Sequence, residues 1–376
     1  MVIAVNVRLL ILDRLEGIGW FSYESLKRIT RAHPEHKFIF IFDRPYNKEL
    51  IFAENITPIV ARPPARHPFL WFIWFEFVIP RILKKYKADI FLSPDGYLSL
   101  SSKIPSLTVI HDINFLHRPG DLPFFTRKYY NHYFPLFARK AKRIATVSEY
   151  SKIDISMNYN IIPENIDVVY NGSNTLYKPV ENSIKQAIKD KYSNGCDYFI
   201  FIGSLHPRKN IKMLFKAFDQ FKIRSSSNIK LLIVGTQMFR SEEIKITLAS
   251  LKYNEEIIFT GRLDPTDLHK VLASAFALTF VPLFEGFGIP ILEAMNCDVP
   301  VICSNVTSMP EVAGEAAIYA DPYSLDSITE AMIKISSDEI TRKRIVEIGK
   351  IHREKFSWDN TAKLLWNSIE KVLTNR

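Results

Sequence analysis

Short runs of apolar residues alternate with helical patterns along the whole chain. The runs lack the polar–apolar alternation of a half-exposed sheet, and continuous apolar strands are typical of a sheet that is covered on both faces. In the first half the predicted strands are Val2–Val7, Phe38–Phe42, Ile56–Val60, Ile90–Leu92, Leu107–Ile110 and Ile144–Val147. Helical patterns separate them at Trp20–Ala32, Phe69–Tyr86 and Phe124–Ala141. This βαβ rhythm predicts a parallel sheet.

The same rhythm starts again in the second half. Its predicted strands are Tyr198–Ile202, Lys230–Val234, Ile257–Phe259, Ala277–Phe280 and Val299–Ile302, and its predicted helices are Ile211–Arg224, Glu242–Leu251 and Thr266–Ala273. Asn171-Gly172 through Pro179 is the predicted linker, because Gly gives the backbone freedom and Pro stops regular structure. The tail, Ile340–Leu373, predicts one or two helices, the last capped by Ser357.

A length of 376 residues suits two domains, since one domain usually has about 100–200. We therefore predict two Rossmann-like, doubly wound α/β domains, at residues 1–175 and 176–356, with a helix at about 357–376 that packs back on the first. Ligands bind at the carboxyl ends of the strands in such sheets. We expect the strand ends of both domains to face one central cleft.

Charge restricts the possible partners of this protein, and cysteine content indicates its compartment. Lys plus Arg number 49 and Asp plus Glu 40, and this formal net charge of +9 favours an anionic partner or a basic surface. No Lys/Arg block is dense enough to indicate a nucleic-acid arm, so we expect no nucleic-acid partner. The three cysteines, Cys196, Cys297 and Cys303, form no CxxC pair, and the N-terminus has no signal-peptide pattern. Both observations favour the cytoplasm.

One apolar segment, Phe69–Ile79, allows two interpretations. It is too short to span a membrane and carries Glu76 in its middle, which favours a buried crossover helix. The alternative is a helix that dips into a membrane interface, because basic residues flank it. These are Arg62, Arg66, Arg81, Lys84, Lys85 and Lys87.

The most informative segment runs from Phe284 to Pro300. Its glycines, Gly286 and Gly288, let the backbone approach a ligand, and Pro290 suits the first turn of a helix. A helix start offers N–H groups and a positive dipole end to an anion. Two carboxylates, Glu285 and Glu293, flank this start.

Three further motifs each follow a predicted strand. Gly203–Asn210 contains the adjacent cations Arg208 and Lys209, which suit a diphosphate. Glu16–Trp20 places Gly17 and Gly19 in a predicted loop before a helix, a pattern that permits phosphate approach. His111-Asp112 comes directly after Leu107–Ile110 and is a candidate sugar contact.

Together these motifs resemble the family-4 retaining glycosyltransferases of the GT-B fold. The resemblance is carried by Glu285 and Glu293 at the family's spacing, with matching Gly-Phe-Gly-Ile-Pro and Glu-Ala-Met around them. The family usually has glycine where this chain has Asp298. The resemblance implies a two-domain fold and transfer of a sugar from a nucleotide diphosphate sugar.

The resemblance also assigns roles to residues. It implies that Glu285 and the loop of Gly286, Phe287 and Gly288 hold the transferred sugar, with Ile289 also part of the donor site. It further implies that Glu293 binds the ribose hydroxyls. Arg208 and Lys209, beside Gly203, would stabilise the leaving diphosphate. In the first domain, Gly19 would let main-chain amides reach the donor phosphate and His111 would contact the donor sugar. Arg262 and Leu263 match the loop that holds the nucleobase.

The resemblance implies a retaining reaction. We expect it to be metal-independent, because no Asp-x-Asp metal site is evident and the cations can replace Mg²⁺. No resident cofactor is expected. The first half, with Leu92-Ser93-Pro94 and Trp74-Phe75-Glu76, is similar to bacterial mannosyltransferases of surface-polysaccharide and lipopolysaccharide assembly. This similarity favours a GDP-sugar over a UDP-sugar and mannose as the transferred sugar. The expected acceptor is a glycan or lipid-linked oligosaccharide, with peripheral contact at the inner face of the membrane. The alternatives are a nucleotide-sugar epimerase on the same fold and a non-catalytic nucleotide-sugar-binding subunit.

Overall fold

The chain forms two compact units, each built on one parallel sheet. The computed structural model describes residues 1–12, 15–236 and 241–374, with only the backbone of residue 241. The first unit comprises Met1–Gly172 together with the chain from Ser357 onwards, and the second comprises Ser173–Phe356.

The first unit contains a seven-stranded sheet in the order β3-β2-β1-β4-β5-β6-β7. Its strands are β1 Val2–Asn6, β2 Lys37–Phe42, β3 Ile56–Val60, β4 Ile90–Ser93, β5 Ser106–Val109, β6 Arg143–Thr146 and β7 Ile166–Val168. Its α-helices are α1 Gly17–Ala32, α2 Pro68–Ile73, α3 Ile79–Lys85, α4 Asn114–His117, α5 Phe124–Lys140 and α6 Glu149–Tyr159. A π-helical segment, Trp74–Val78, joins α2 to α3, and 3₁₀ turns occur at Lys48–Leu50, Pro119–Asp121 and Pro163–Asn165.

The second unit repeats this topology with six strands in the order β10-β9-β8-β11-β12-β13. Its strands are β8 Tyr198–Ile202, β9 Lys230–Val234, β10 Ile257–Gly261, β11 Ala277–Phe280, β12 Val301–Ser304 and β13 Ile318–Ala320. Its helices are α7 Asn182–Ser193, α8 Ile211–Ser225, α9 Ser241–Ala249, α10 Pro265–Ala273, α11 Ile289–Asn296, α12 Met309–Ala313, α13 Leu325–Ser337 and α14 Glu339–His352. Turns of 3₁₀ helix occur at Pro207–Lys209, Asn254–Glu256 and Arg353–Lys355.

Apolar strands occupy interior positions in both sheets. All five residues of β8, Tyr-Phe-Ile-Phe-Ile, are buried, as are the last five of β2. Helices cover such strands on both faces, which explains the missing polar alternation. The predicted parallel sheets are confirmed, with strand boundaries that differ mostly by one or two residues.

The final helix, α15 (Trp358–Thr374), packs on the first unit. The Ser357 hydroxyl accepts a hydrogen bond from the Asn360 amide at 3.1 Å, which confirms the predicted cap. The Trp366 ring stacks on His33 at a centroid distance of 3.5 Å. A Cβ atom on Gly172, where the chain leaves this unit, would lie 2.3 Å from the nitrogen of Trp358, where the chain has just returned, so glycine is required at Gly172.

One predicted helix start is wrong, and one predicted helix has an irregular centre. Helix α1 begins at Gly17, so Gly19 lies in the first helical turn and not in a loop before the helix. The segment predicted as one helix from Phe69 contains the π-helical turn at its centre. Here the Trp74 indole donates to the Ala61 carbonyl at 3.0 Å, and the Glu76 carboxylate accepts the Leu100 and Ser101 amides at 2.7 and 3.0 Å.

The interpretation of this segment as a buried crossover helix is confirmed for one of its faces. Trp71, Trp74 and Phe75 are buried, whereas Phe69 and Phe77 are 66% and 48% exposed. Among the described residues, none of the helices has the length and apolar character needed to cross a membrane.

Candidate functional site

The second unit brings two of the sequence motifs to the same edge of its sheet. Strands β8 and β11 are parallel neighbours, with Ala277 opposite Phe199. From β8 the chain continues to β9 on one side, and from β11 it continues to β12 on the other. The loops after β8 and β11 therefore emerge at the point where the strand order reverses, which is where open α/β sheets bind their ligands.

Main-chain contacts fix these two loops against each other. The Leu283 amide donates to the Arg208 carbonyl at 2.8 Å. The Asn210 side-chain amide donates to the carbonyls of Val281 and Pro322 at 3.2 and 2.7 Å. Asn210 has a φ of +62°, a left-handed conformation that Asn tolerates better than most residues. The 3₁₀ turn Pro207–Lys209 is thereby held beside the loop that contains Glu285.

Arg208 and Lys209 converge on one oxygen of Glu285. Arg208 Nη1 bonds to Glu285 Oε1, and Lys209 Nζ lies 2.5 Å from the same atom. All three side chains are largely buried, with 23%, 10% and 11% of their surfaces exposed. Burial raises the pKa of Glu285, but the charges of Arg208 and Lys209 outweigh burial and hold this pKa below its ordinary value.

The glycine-rich loop after Glu285 leads directly into α11. Gly288 has a φ of +105°, and a Cβ atom there would lie 2.7 Å from the Met309 Cε, so the turn requires glycine. The Ser308 hydroxyl lies 2.9 Å from the Glu285 carbonyl oxygen and 3.1 Å from that of Phe287. Helix α11 begins at Ile289, with Pro290 in its first turn as predicted.

Glu293 lies in α11 and is half-buried. Burial raises its pKa to about 7, although a hydrogen bond with the Tyr177 hydroxyl partly opposes the rise. Tyr177 is itself buried, and its own pKa lies above the ordinary value. Glu285 and Glu293 therefore differ in character, since the first is held ionised by cations and the second titrates near neutrality.

The other predicted residues of this unit occupy different positions. Gly203 follows β8 directly, and a Cβ atom there would lie 3.7 Å from Lys209 Cε. Arg262 and Leu263 follow the edge strand β10, two strands away from β8. Arg262 is exposed. Asp298, at the usual glycine position, has a φ of +55° and bonds to Arg353 at 3.0 Å.

In the first unit, Gly19 and His111 both make internal contacts. A Cβ atom on Gly19 would lie 3.0 Å from Leu15 Cδ2 and 3.4 Å from the Leu9 carbonyl, so chain packing alone favours glycine there. His111 follows β5, with Nε2 2.9 Å from the Pro94 carbonyl and its ring edge-to-face with Phe21. A carbonyl only accepts, so Nε2 carries the proton. Burial lowers the pKa of His111, which leaves Nδ1 as an acceptor in the neutral ring.

Sequence reasoning missed the residues that support these groups. Ser308 precedes Met-Pro-Glu and has the pattern of a helix cap, but its hydroxyl bonds to the neighbouring loop and caps nothing. Tyr177 lies in the predicted linker and carries no signal of its contact with Glu293. Arg8 and Asp95 form a buried ion pair at 2.6 Å, after β1 and β4.

A possible metal-ligating group lies elsewhere. Within residues 1–12, 15–236 and 241–374, the group of His, Cys, Asp or Glu side chains close enough to share an ion is His33, Glu35 and His36, between α1 and β2. It contains none of the residues predicted for the donor site.

Comparisons with known proteins identify the family of this chain. Residues 17–175 match the family model described as Glycosyltransferase Family 4, and residues 184–352 match that of Glycosyl transferases group 1. The chain belongs to the family-4 glycosyltransferases. The O-antigen chain mannosyltransferase B of Escherichia coli is 28% identical to this glycosyltransferase over 92% of the chain and 93% of that protein. The O-antigen chain mannosyltransferase RfbU of Salmonella typhimurium is 25% identical over 73% and 72%.

Solved structures support the fold of this glycosyltransferase. The Anabaena protein Alr3699/HepE, crystallised with UDP-glucose, superposes with a TM-score of 0.77 at 15% identity, over 99% of this chain and all of that one. The fold is therefore the two-domain α/β GT-B fold, and the chain is a glycosyltransferase of polysaccharide biosynthesis. The epimerase and non-catalytic alternatives are not favoured.

Proposed function

We propose that this glycosyltransferase moves mannose from a GDP-sugar to a glycan or lipid-linked oligosaccharide, with retention of anomeric configuration and without a metal ion. The observation that carries the proposal is the convergence of Arg208 and Lys209 on Glu285 at the switch point of the second sheet. The preference for mannose rests on the similarity of this chain to two O-antigen chain mannosyltransferases. The nucleotide-sugar donor is supported by the UDP-glucose complex of the structural neighbour.

The proposed chemistry follows from the charges of these groups. The bond between the anomeric carbon and the donor phosphate oxygen breaks, and Arg208 and Lys209 stabilise the negative charge that develops on the diphosphate. The acceptor hydroxyl oxygen forms the new bond on the same face, and its proton passes to the departing phosphate. Two cations near the diphosphate perform the electrostatic task that Mg²⁺ performs in metal-dependent transferases.

Retention is proposed on the character of the two carboxylates. A double displacement needs a carboxylate nucleophile and an acid about 5 Å apart. Glu285 has one oxygen held by two cations, which weakens it as a nucleophile, and Glu293 is assigned to the ribose hydroxyls. We therefore propose transfer on the front face, with Glu285 holding sugar hydroxyls.

Thermal stabilisation by nucleotides tests the donor site. GDP, UDP and ADP and their sugars are added to the wild type and to Glu293→Ala, with and without EDTA. A ligand at 100 times its Kd adds about 2.7 kcal/mol of stability. We expect GDP to stabilise the wild type irrespective of EDTA, with a smaller effect on Glu293→Ala. If none of the nucleotides stabilises the protein, the proposal is contradicted. Retention is tested separately, by NMR determination of the anomeric configuration of the product.

We also propose peripheral contact of the first unit with the inner face of the membrane. Between α2 and α5 lies a pocket of about 620 Å³, whose lining includes Phe69, Phe72, Phe125, Lys128 and Tyr133. Phe125 is 70% exposed, and the ammonium of Lys128 lies 4.7 Å from the ring centre of Phe124. Exposed aromatic rings beside cations suit an anionic lipid interface.

Vesicle sedimentation tests this contact. We expect the protein to bind vesicles that contain phosphatidylglycerol more strongly than pure phosphatidylcholine, and Phe125→Ser to weaken that binding. The matched control is Ile351→Ser, which removes an apolar side chain that is 73% exposed on the second unit. Equal binding by both variants and the wild type would remove the basis for membrane contact.

A further inference from the structure

Glu285 competes with any diphosphate for the same two cations. Arg208 and Lys209 both contact a single oxygen of its carboxylate, and all three groups are largely buried. At such distances and outside bulk water, a second anion on these cations meets strong repulsion from the carboxylate. When a diphosphate attracts the two cations, the Glu285 carboxylate loses part of their stabilising charge. A buried carboxylate without charge partners is unfavourable.

Only an intact donor can relieve both effects. The hydroxyls of a sugar can donate hydrogen bonds to a carboxylate, so they replace the cations as partners of Glu285. A free nucleoside diphosphate supplies the negative charge but no such hydroxyls at this position. The Ser308 hydroxyl, which bonds to the carbonyls of Glu285 and Phe287, fixes the loop, so Glu285 cannot easily move away.

We infer that the donor diphosphate and Glu285 exchange Arg208 and Lys209 between them, so that the site discriminates against free nucleoside diphosphate and in favour of the nucleotide sugar. The inference rests on the proposed function, because it assumes that the donor binds at these cations. Its consequence is for product release: once the sugar has left, Glu285 loses its hydroxyl partners, takes back the cations and promotes departure of the nucleoside diphosphate.

The decisive measurement is nucleotide affinity by calorimetry. Dissociation constants of GDP, UDP, GDP-mannose and UDP-glucose are compared for the wild type and for Glu285→Gln, which keeps the shape and removes the charge. We expect the variant to bind the free nucleoside diphosphate at least tenfold more tightly and to lose most of the preference for the nucleotide sugar. We expect Glu285→Ala, whose side chain cannot hydrogen-bond, to bind the free nucleotide more tightly as well. This variant replaces Glu285→Gln in the measurement if the Gln variant fails to fold.

The matched control is Glu256→Gln. Glu256 pairs with the buried Lys222 at 2.7 Å in the same unit, but it lies outside both loops at the switch point. We expect its nucleotide affinities to equal those of the wild type. If the Glu285 variants bind the free nucleotide no more tightly than the wild type, the exchange is wrong while the donor site stands. If the wild type binds none of the four ligands, the proposed function fails together with the exchange.

Discussion

The hydroxyl of Ser308 donates a hydrogen bond of 2.9 Å to the main-chain carbonyl of Glu285. Ser308 is fully buried, and its hydroxyl also lies 3.1 Å from the Phe287 carbonyl. A side chain from the start of α12 thus holds the loop that carries the proposed sugar-binding carboxylate. The position of Glu285 depends on a residue 23 positions away in sequence.

Ser308→Ala should reduce activity more than it reduces stability. A buried carbonyl without its donor costs about 1–3 kcal/mol, and a mobile Glu285 loop should lower kcat/KM roughly tenfold or more. Ser193→Ala is the control, because its hydroxyl, at the end of α7, is buried and also bonds to two carbonyls, those of Lys189 and Cys196. Urea denaturation and steady-state kinetics of both variants separate the two effects. Equal losses of activity in the two variants would contradict a specific role for Ser308.

Metal removal should leave transfer unchanged. Arg208 and Lys209 supply positive charge at the proposed diphosphate position, so EDTA should not alter kcat. Arg208→Ala should lower kcat by about 100-fold or more, as the loss of one charge-stabilising donor commonly does. Arg224→Ala, which removes an exposed arginine paired with Glu330, should leave kcat unchanged. An EDTA-sensitive rate that Mg²⁺ or Mn²⁺ restores would be incompatible with the proposed mechanism.

The affinity for nucleotide should rise with pH through about 7. Burial raises the pKa of Glu293 to about 7, and ribose hydroxyls donate best to its ionised form. Binding should therefore release up to about one proton near pH 6.5, and Kd should fall by at most about tenfold per pH unit below the pKa. Calorimetry in two buffers of different ionisation enthalpy measures this release. Glu293→Gln should bind more weakly and show neither effect.

Glu293 should also make the free energy of unfolding depend on pH. The native pKa lies above the ordinary value of 4.5, so between these two values the native state binds more protons than the unfolded state. The contribution of Glu293 to stability is therefore largest below about pH 4.5 and decreases as the pH rises to about 7. The free energy of unfolding of the wild type, measured against Glu293→Gln, should decrease over this range. A constant difference between the two proteins would show that the pKa is not raised.

Breaking the buried Arg8–Asp95 pair should destabilise the first unit. Nε of Arg8 lies 2.6 Å from Asp95, and its guanidinium lies 4.2 Å from the centre of the Tyr97 ring. Arg8→Met leaves a buried carboxylate without its charge partner, which costs about 3–5 kcal/mol. Lys343→Met breaks an exposed pair with Glu339 and should have a much smaller effect, because water screens such pairs. Chemical denaturation measures the loss of stability in both variants, and similar losses would contradict a stabilising role for the buried Arg8–Asp95 pair.

Gly288→Ala should strain the turn before α11. The alanine would hold a φ near +105° and bring its Cβ within 2.7 Å of Met309 Cε, although the flexible end of Met309 can move. The backbone conformation alone costs roughly 1–3 kcal/mol. Gly120→Ala, where nothing lies within 4 Å of the new Cβ, should change stability by less than about 0.5 kcal/mol. We therefore expect Gly288→Ala to melt at a clearly lower temperature than Gly120→Ala.

Most of the fold could be predicted from the sequence, because it depends on local pattern. Continuous apolar strands such as Tyr198–Ile202 and amphipathic helices between them specify a parallel α/β architecture with little help from distant residues. The glycine-rich segment after Phe284, with Pro290 behind it, likewise indicated a ligand-binding helix start. The same segment carried the family resemblance, which the comparisons confirm.

The tertiary structure alone decided which charges meet and how they behave. Arg208 and Glu285 are 77 residues apart, and only the pairing of β8 with β11 brings their loops together. Burial raises the pKa of both glutamates, but only Glu285 has two cations beside it, so it stays ionised while Glu293 titrates near neutrality. The sequence likewise could not reveal the partners of the Ser308 and Tyr177 hydroxyls, since a hydroxyl bonds to whichever polar group the fold places beside it. Sequence specifies local conformation through short-range sterics and polarity, whereas electrostatic character arises from contacts that only the folded chain creates.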